Sequence, residues 1–185
     1  MAQTESGRSY PAGKHSMKDV SSALQSVTES IRIAAEPIHV WNAIVDPCAG
    51  ETWRNAYFKT DWSIGAAIEI EAVIGAKRYR DKGRVIDVEP PSRLAYSYWS
   101  RVSGLPDIPE SYSTITMALA ADGNETVLTV TQHVPPSPPR RGDGWEIGAE
   151  SGAKHAAFYW RMALPRLKRI VEERLATRSP ERGPI

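Results

Sequence analysis

The chain has 185 residues, 41% of them hydrophobic, a formal net charge of +1 and one cysteine. This length is typical of one domain, and the balanced charge gives no electrostatic basis for binding nucleic acid or an anionic membrane. The single Cys48 excludes an internal disulfide and any zinc site built from several cysteines. No apolar run is long enough for a signal peptide or a membrane-spanning helix, so we expect a cytoplasmic protein.

Both ends of the chain are predicted to be mobile tails. Residues 1–22 and 178–185 are polar and show no hydrophobic period. Such segments bury too little apolar surface to fold. We therefore expect one folded domain over residues 23–177.

The folded part begins with a strand and two short helices. Alternating residues over 26–35 predict the first strand. Pro37 is a favourable first residue for the helix that follows, and Asp46-Pro47 ends that helix. Residues 50–57 predict a second short helix.

Strands dominate the middle of the chain. Alternation over 61–74, 77–89 and 93–102 predicts three strands, with an acidic diproline corner between the last two. Residues 111–134 predict a hairpin that turns at Asp122-Gly123-Asn124, where the glycine supplies a positive φ.

A long amphipathic helix is predicted over residues 156–176. Its apolar side chains recur at spacings of three and four, and Pro165 is expected to kink it near Arg161. One strand, two short helices, five strands and a long helix do not alternate as a doubly wound sheet would. The fold class is therefore α+β, with an antiparallel sheet wrapped around a C-terminal helix.

Four stretches carry a resemblance to a known family. They are IRIAAEPIHVWNAIVDP (31–47), DWSIGAAIEI (61–70), GRVIDVEPPSRLAYSYW (83–99) and TITMALAADGNETVLTVTQ (114–132). In this order and spacing, the chain resembles the SRPBCC (START-like, birch-pollen-allergen-like) superfamily and, within it, bacterial proteins similar to the activator of heat-shock-protein-90 ATPase. The resemblance covers roughly residues 27–176. It implies a helix-grip fold, in which a curved antiparallel sheet grips the long helix and encloses a cavity.

The alternation of the strands then gives a candidate ligand-binding lining. Tyr96 and Tyr98 share one face of their strand, so their hydroxyls could orient a ligand among apolar walls. The alternative is that both are core residues whose hydroxyls are satisfied locally. Trp145, in the proline- and glycine-rich segment 135–155, is the candidate gate. The full candidate set is Ile68, Ile70, Tyr96, Tyr98, Ile115, Met117, Val130, Gln132, Trp145, Trp160 and Leu164.

The sequence gives no catalytic or metal-binding candidate. The inward strand positions supply almost no titratable group, because Glu69, Glu71 and His133 alternate outward. No histidine pair has metal-ligand spacing, and no nucleophile or phosphate-loop motif occurs. Arg140-Arg141 is more typical of a solvated loop than of an anion site. We therefore expect no cofactor and no metal.

Three functions remain open at this point. The first is binding of a hydrophobic or aromatic small molecule in an internal cavity, which needs no further partner. The second is a protein-interaction module similar to a chaperone ATPase activator, which would use exposed edges or loops. The third is an enzyme of the polyketide cyclase, aromatase or hydratase kind, which would need an inward-facing acid or histidine.

Overall fold

Nine strands and three α-helices follow one another in the part of the chain that this computed structural model describes, residues 24–74, 77–142 and 145–178. The side chains of residues 74, 140–147 and 178 lie outside the description. The elements are β1 (Gln25–Ile33), α1 (Pro37–Val45), α2 (Pro47–Arg54), β2 (Ala56–Lys59), β3 (Ala67–Ile74), β4 (Lys77–Glu89), β5 (Arg93–Trp99), β6 (Ser113–Asp122), β7 (Glu125–Val134), β8 (Arg140–Gly142), β9 (Trp145–Ile147) and α3 (Ser151–Arg178).

Seven strands form one antiparallel sheet in the order β1-β7-β6-β5-β4-β3-β2. The chain runs along the sheet from β2 to β7 by neighbouring strands, and β1 then pairs with the last of them. This is the predicted α+β helix-grip fold, with a curved sheet and a long C-terminal helix.

The helix predicted over residues 50–57 is found only as far as Arg54, so the end of this prediction is wrong. Helix α2 begins earlier, at Pro47, and ends at Arg54. Asn55 then adopts the left-handed conformation with φ of 54°, which ends the helix, and β2 pairs with β3 from Ala56 onward. The sheet therefore contains a strand that the sequence interpretation missed.

Helices α1 and α2 meet at Asp46. As predicted, α1 starts at Pro37 and ends just before Asp46, whose side chain accepts a hydrogen bond of 2.9 Å from the Cys48 backbone N–H and so caps α2. The Trp53 indole donates to the Ala43 carbonyl at 3.3 Å. These bonds fix α2 against α1 and place the end of α2 inside the molecule.

The β6–β7 hairpin follows its prediction. Asp122 pairs with Glu125, and Gly123 has φ of +62° in the turn between them. The β4–β5 corner is also a turn, in which the Ser92 N–H donates to the Glu89 carbonyl at 2.7 Å. At the other end of this pair of strands, where Gly83 lies opposite Tyr98, the backbones approach so closely that a Cβ on Gly83 would lie only 2.0 Å from the Ser97 carbonyl oxygen.

Helix α3 is longer than predicted at both ends and has Pro165 in its interior. Five of its buried side chains pack in one core with the inward faces of the strands: Trp160, Ala163, Leu164, Leu167 and Val171. The segment before α3, predicted as a loop, instead contains the short β8–β9 ribbon. The side chains of Arg140, Arg141 and Trp145 in that ribbon are among those not described.

Candidate functional site

The predicted lining residues come together in the interior between the sheet and α3. Apart from Tyr98, which is half-buried, and Trp145, whose side chain is not described, each is at most 8% exposed. Ile68, Ile70, Tyr96, Ile115, Met117, Val130, Trp160 and Leu164 belong to one hydrophobic core. The interior is therefore closed by close-packed side chains in this structure.

Gln132 points inward, as its phase with Val130 predicts, and is 8% exposed. Its Oε1 accepts a hydrogen bond of 2.7 Å from the Trp160 indole Nε1, which joins β7 to α3. His133 on the same strand is exposed, and so are Glu69 and Glu71 on β3.

An acid faces the interior, which corrects the expectation that inward positions carry almost no titratable groups. Asp81 on β4 is 7% exposed and lies in phase with the buried Val85. Its carboxylate accepts hydrogen bonds from the Tyr98 hydroxyl at 2.9 Å and from the Arg101 backbone N–H at 3.0 Å. Burial, followed by the negative charge of Asp81, raises the pKa of Tyr98.

Tyr96 lies deeper and is held by aromatic rings. Its ring packs edge-on against Phe58 at 5.9 Å and Trp62 at 6.2 Å between centroids. Burial raises the pKa of Tyr96 to about 12, although the positive charge of Arg54 acts against that shift. Among the described residues, no hydrogen bond to the Tyr96 hydroxyl is found.

The least expected residue of the interior is Arg54, the last residue of α2. It is 3% exposed, and its guanidinium lies over the rings of Trp53 at 4.4 Å and Phe58 at 4.3 Å. Its Nη2 donates to the Ile44 carbonyl, while its Nε and Nη1 are buried and have no acceptor among the residues that the structure describes.

Tyr159 of α3 completes this group. Its hydroxyl donates to the Arg54 carbonyl at 3.2 Å, and its pKa is raised first by burial and then by Tyr96, with Arg54 opposing. We call Arg54, Asp81, Tyr96, Tyr98 and Tyr159 the interior polar cluster. It is a set of polar groups inside apolar and aromatic walls. Within the described residues, its carboxylate has hydrogen-bond donors on both oxygens, whereas two nitrogens of its cation have no acceptor.

Trp62 lies between this interior and solvent. It is half-buried, packs parallel to Phe58 at 6.3 Å, and donates from its indole to the Val45 carbonyl at 3.1 Å. Its φ of 58° is unusual for a bulky residue. One of the two rings that pack on Tyr96 is thus held by a strained backbone conformation.

Two surface clefts lie outside this interior. Their volumes are about 430 and 210 Å³, and neither is lined by any of the predicted site residues. The larger is open to solvent and mixes acidic and basic side chains from α2, β3 and β4, among them Glu51, Glu71, Arg78 and Arg80.

Metal and membrane sites find no support in the described part of the chain. There, no three His, Cys, Asp or Glu side chains lie close enough together to hold a metal ion. Nor does any helix there have the length and apolar character needed to cross a membrane.

A curved antiparallel sheet that grips a long C-terminal helix over a buried aromatic interior defines a helix-grip protein of the SRPBCC superfamily. Within it, the chain belongs to the family described as activator of Hsp90 ATPase homolog 1-like proteins, whose model matches residues 34–172.

Solved structures share the fold. ChR145 from Cytophaga hutchinsonii is 26% identical with a TM-score of 0.64, over 83% of this chain and 98% of that one. CalU16 from Micromonospora echinospora is 22% identical with a TM-score of 0.57, over 82% and 79% of the two chains. DynU16, from the dynemicin biosynthetic locus, is 22% identical with a TM-score of 0.57, over 80% of this chain and 47% of DynU16. No curated protein matches the chain.

Proposed function

We propose that the protein binds a hydrophobic or aromatic small molecule between the sheet and α3. The observation that carries this proposal is the interior polar cluster, which sets a few polar groups among apolar and aromatic walls. Binding sites for small molecules have that composition. The likeness to DynU16, from a biosynthetic locus, supports a role with small organic molecules.

Binding requires a covering element to move, because the interior is closed. Segment 135–152, which holds the β8–β9 ribbon and the first turn of α3, is the gate in this proposal. Prolines stiffen its first part, and glycines at its far end allow a hinge. Hinged segments of this kind commonly cover ligand sites.

The proposal is tested with naphthamide, a neutral bicyclic aromatic probe, by calorimetric titration and thermal unfolding. We expect saturable binding and a melting temperature that rises with probe concentration. Met117→Trp should lower the melting temperature, because the indole overpacks the closed interior, and should weaken probe binding at a temperature where circular dichroism shows the variant still folded. The matched control is Ala118→Trp, at the exposed neighbour on the same strand. Absence of binding to the unmodified protein, or equal binding by both variants, would contradict the proposal.

A cyclase-like enzyme is the second candidate, favoured by the inward-facing Asp81. A carboxylate beside the Tyr98 hydroxyl can act in proton abstraction next to a carbonyl. Both of its oxygens already accept hydrogen bonds, which puts this candidate behind simple binding. Deuterium exchange into the methyl group of acetylnaphthalene, followed by NMR, should be accelerated by the protein and not by Asp81→Asn if the candidate holds.

The protein-interaction alternative has its own supporting surface. Phe158 and Met162, one turn apart on α3, are 64% and 47% exposed. Capture of the chaperone Hsp90 by the protein, lost in Phe158→Ser and retained in Met117→Trp, would place this alternative first.

A further inference from the structure

Arg54 carries an unmet charge inside the protein. It is 3% exposed, and in the described residues its one acceptor is the Ile44 carbonyl. None of the ion pairs found there includes it, and the carboxylate that acts on it from a distance, Asp46, is paired with Arg174 at 3.0 Å. Burial therefore lowers the pKa of Arg54, yet an arginine stays charged at neutral pH.

The aromatic rings around Arg54 satisfy only part of that charge. The guanidinium carbon lies 4.4 Å from the ring centroid of Trp53 and 4.3 Å from that of Phe58, which is a cation–π arrangement. The N–H bonds need acceptors that ring faces do not supply, and Nε and Nη1, which carry most of those donors, find none in the described part of the chain. An unpaired buried charge with unsatisfied donors is costly, so its presence points to an acceptor that arrives from outside the chain.

The surroundings define what that acceptor is. A planar guanidinium matches the two oxygens of a carboxylate. The Tyr96 hydroxyl interacts electrostatically with Arg54 and has no hydrogen bond among the described residues, so it can donate to the same carboxylate, whereas the Tyr159 hydroxyl already donates to the Arg54 carbonyl. The neighbouring rings of Phe58, Trp62 and Tyr96 offer an apolar surface to the remainder of the bound small molecule. One cation balances one negative charge, which favours a monoanion over a phosphate.

We propose that the small molecule bound in this interior is an aromatic or apolar carboxylic acid, and that Arg54 binds its carboxylate. This inference rests on the proposed function and names the ligand class for the same site. Arg54 is then kept for recognition at the expense of the stability of the free protein.

Naphthoate and naphthamide, which have the same ring system and differ in charge, test the proposal on the unmodified protein. We expect naphthoate to bind about ten- to a hundredfold more tightly, the effect of hydrogen bonds to a charged group. Arg54→Met should bring naphthoate to the affinity of naphthamide without lowering the melting temperature, because methionine packs well against the rings of Trp53 and Phe58. Arg54→Lys keeps the charge but loses the planar pair of N–H donors, so its affinity for naphthoate should lie between those of the unmodified protein and Arg54→Met.

The matched control is Arg169→Met, which removes an exposed arginine from α3 and should leave the preference for naphthoate unchanged. Equal affinity of the unmodified protein for the two probes would overturn the inference and leave the proposed function standing. No binding of either probe would overturn the proposed function and the inference with it. A lower melting temperature of Arg54→Met with an unchanged preference for naphthoate would make Arg54 a packing residue.

Discussion

Tyr96 and Tyr98 lie two residues apart on β5 and face the same interior, but their hydroxyls have different surroundings. The Tyr98 hydroxyl donates to the Asp81 carboxylate at 2.9 Å. The Tyr96 hydroxyl has no such bond among the described residues, and its environment is the aromatic rings of Phe58 and Trp62 together with the charge of Arg54. The Tyr98 hydroxyl is therefore part of a hydrogen-bonded pair within the fold, and in the proposed function the Tyr96 hydroxyl is the one that meets the ligand.

Removing each hydroxyl should separate these roles. Tyr98→Phe should lower the free energy of unfolding by about 1–2 kcal/mol, because Asp81 loses a hydrogen bond in a mostly buried position. Tyr96→Phe should change it by less than about 0.5 kcal/mol, since the described residues form no hydrogen bond with its hydroxyl. Urea unfolding measures both variants, and equal losses would show that the two hydroxyls are equally engaged.

The alternation of residues along the strands predicts part of this site, but it does not predict the buried charge of Arg54. The alternation of β3, β5, β6 and β7 is enough to place the apolar lining and Gln132 inward. The same rule, counted back from Val85, would have placed Asp81 inward as well. The burial of Arg54 could not be predicted from the sequence, because a charged residue at the end of a short helix is ordinarily solvated. Contacts with Phe58 of β2 and Tyr159 of α3, which lie on other elements, bury it.

At the scale of elements, Asp46 joins all three helices. It follows the last residue of α1, caps α2 through the Cys48 N–H, and pairs with Arg174 of α3 at 3.0 Å. Burial acts to raise the pKa of Asp46, but the bonds from Arg174 and Cys48 outweigh it, and the pKa lies below its usual value.

Substitutions at Asp46 should separate the cap from the ion pair. Asp46→Ala should cost about 1 kcal/mol through loss of the cap. Asp46→Asn keeps the oxygen that caps α2 but loses the ion pair with Arg174. It should cost only a few tenths of ~1 kcal/mol, because Asp46 and Arg174 are partly exposed. Because the native pKa is lowered, the charge stabilises the fold above the unfolded pKa, about 3.9, and that contribution is lost as pH falls through the native value.

Chemical unfolding at neutral and acidic pH measures this series. The stability difference between the unmodified protein and Asp46→Asn should shrink on acidification, while the difference between Asp46→Asn and Asp46→Ala persists. A difference that grows at acidic pH would contradict the lowered pKa.

Elements with strong local signals were predictable, and short ones were not. Helix α1, with Pro37 at its start, and the β6–β7 hairpin, with its glycine turn, appear where the sequence places them. Strand β2 has only four residues and follows closely on a helix, so it is too short to show a recognisable hydrophobic alternation in the sequence. Its pairing with β3 decides its conformation. The β8–β9 ribbon is shorter still and interrupts a proline-rich stretch.

At the scale of the whole molecule, the order of four sequence stretches was enough to predict the fold and the family. It could not predict how far the interior would be filled, because that depends on the summed volume of side chains from every strand and from α3. Apart from Arg178, which is the last residue of α3, the predicted tails lie outside the described residues, so their dispensability stays a prediction.

Trimming the chain to residues 23–177 tests that prediction. The trimmed protein should melt within a few degrees of the full chain, since the removed residues have little apolar surface to bury. Calorimetric melting of the two proteins gives the comparison. A large fall in melting temperature would show that one of the ends docks on the domain.

The way α3 lies along β1 has a consequence for how copies of the protein behave together. Strand β1 ends the sheet, and an unpaired outer edge invites another strand to add to it. Lys168 donates to the Arg32 carbonyl at 2.8 Å, and Glu172 accepts from the Ala34 N–H at 2.9 Å. Charged side chains of α3 thereby occupy two backbone groups at the C-terminal end of this edge and lie where an incoming strand would have to pair with it.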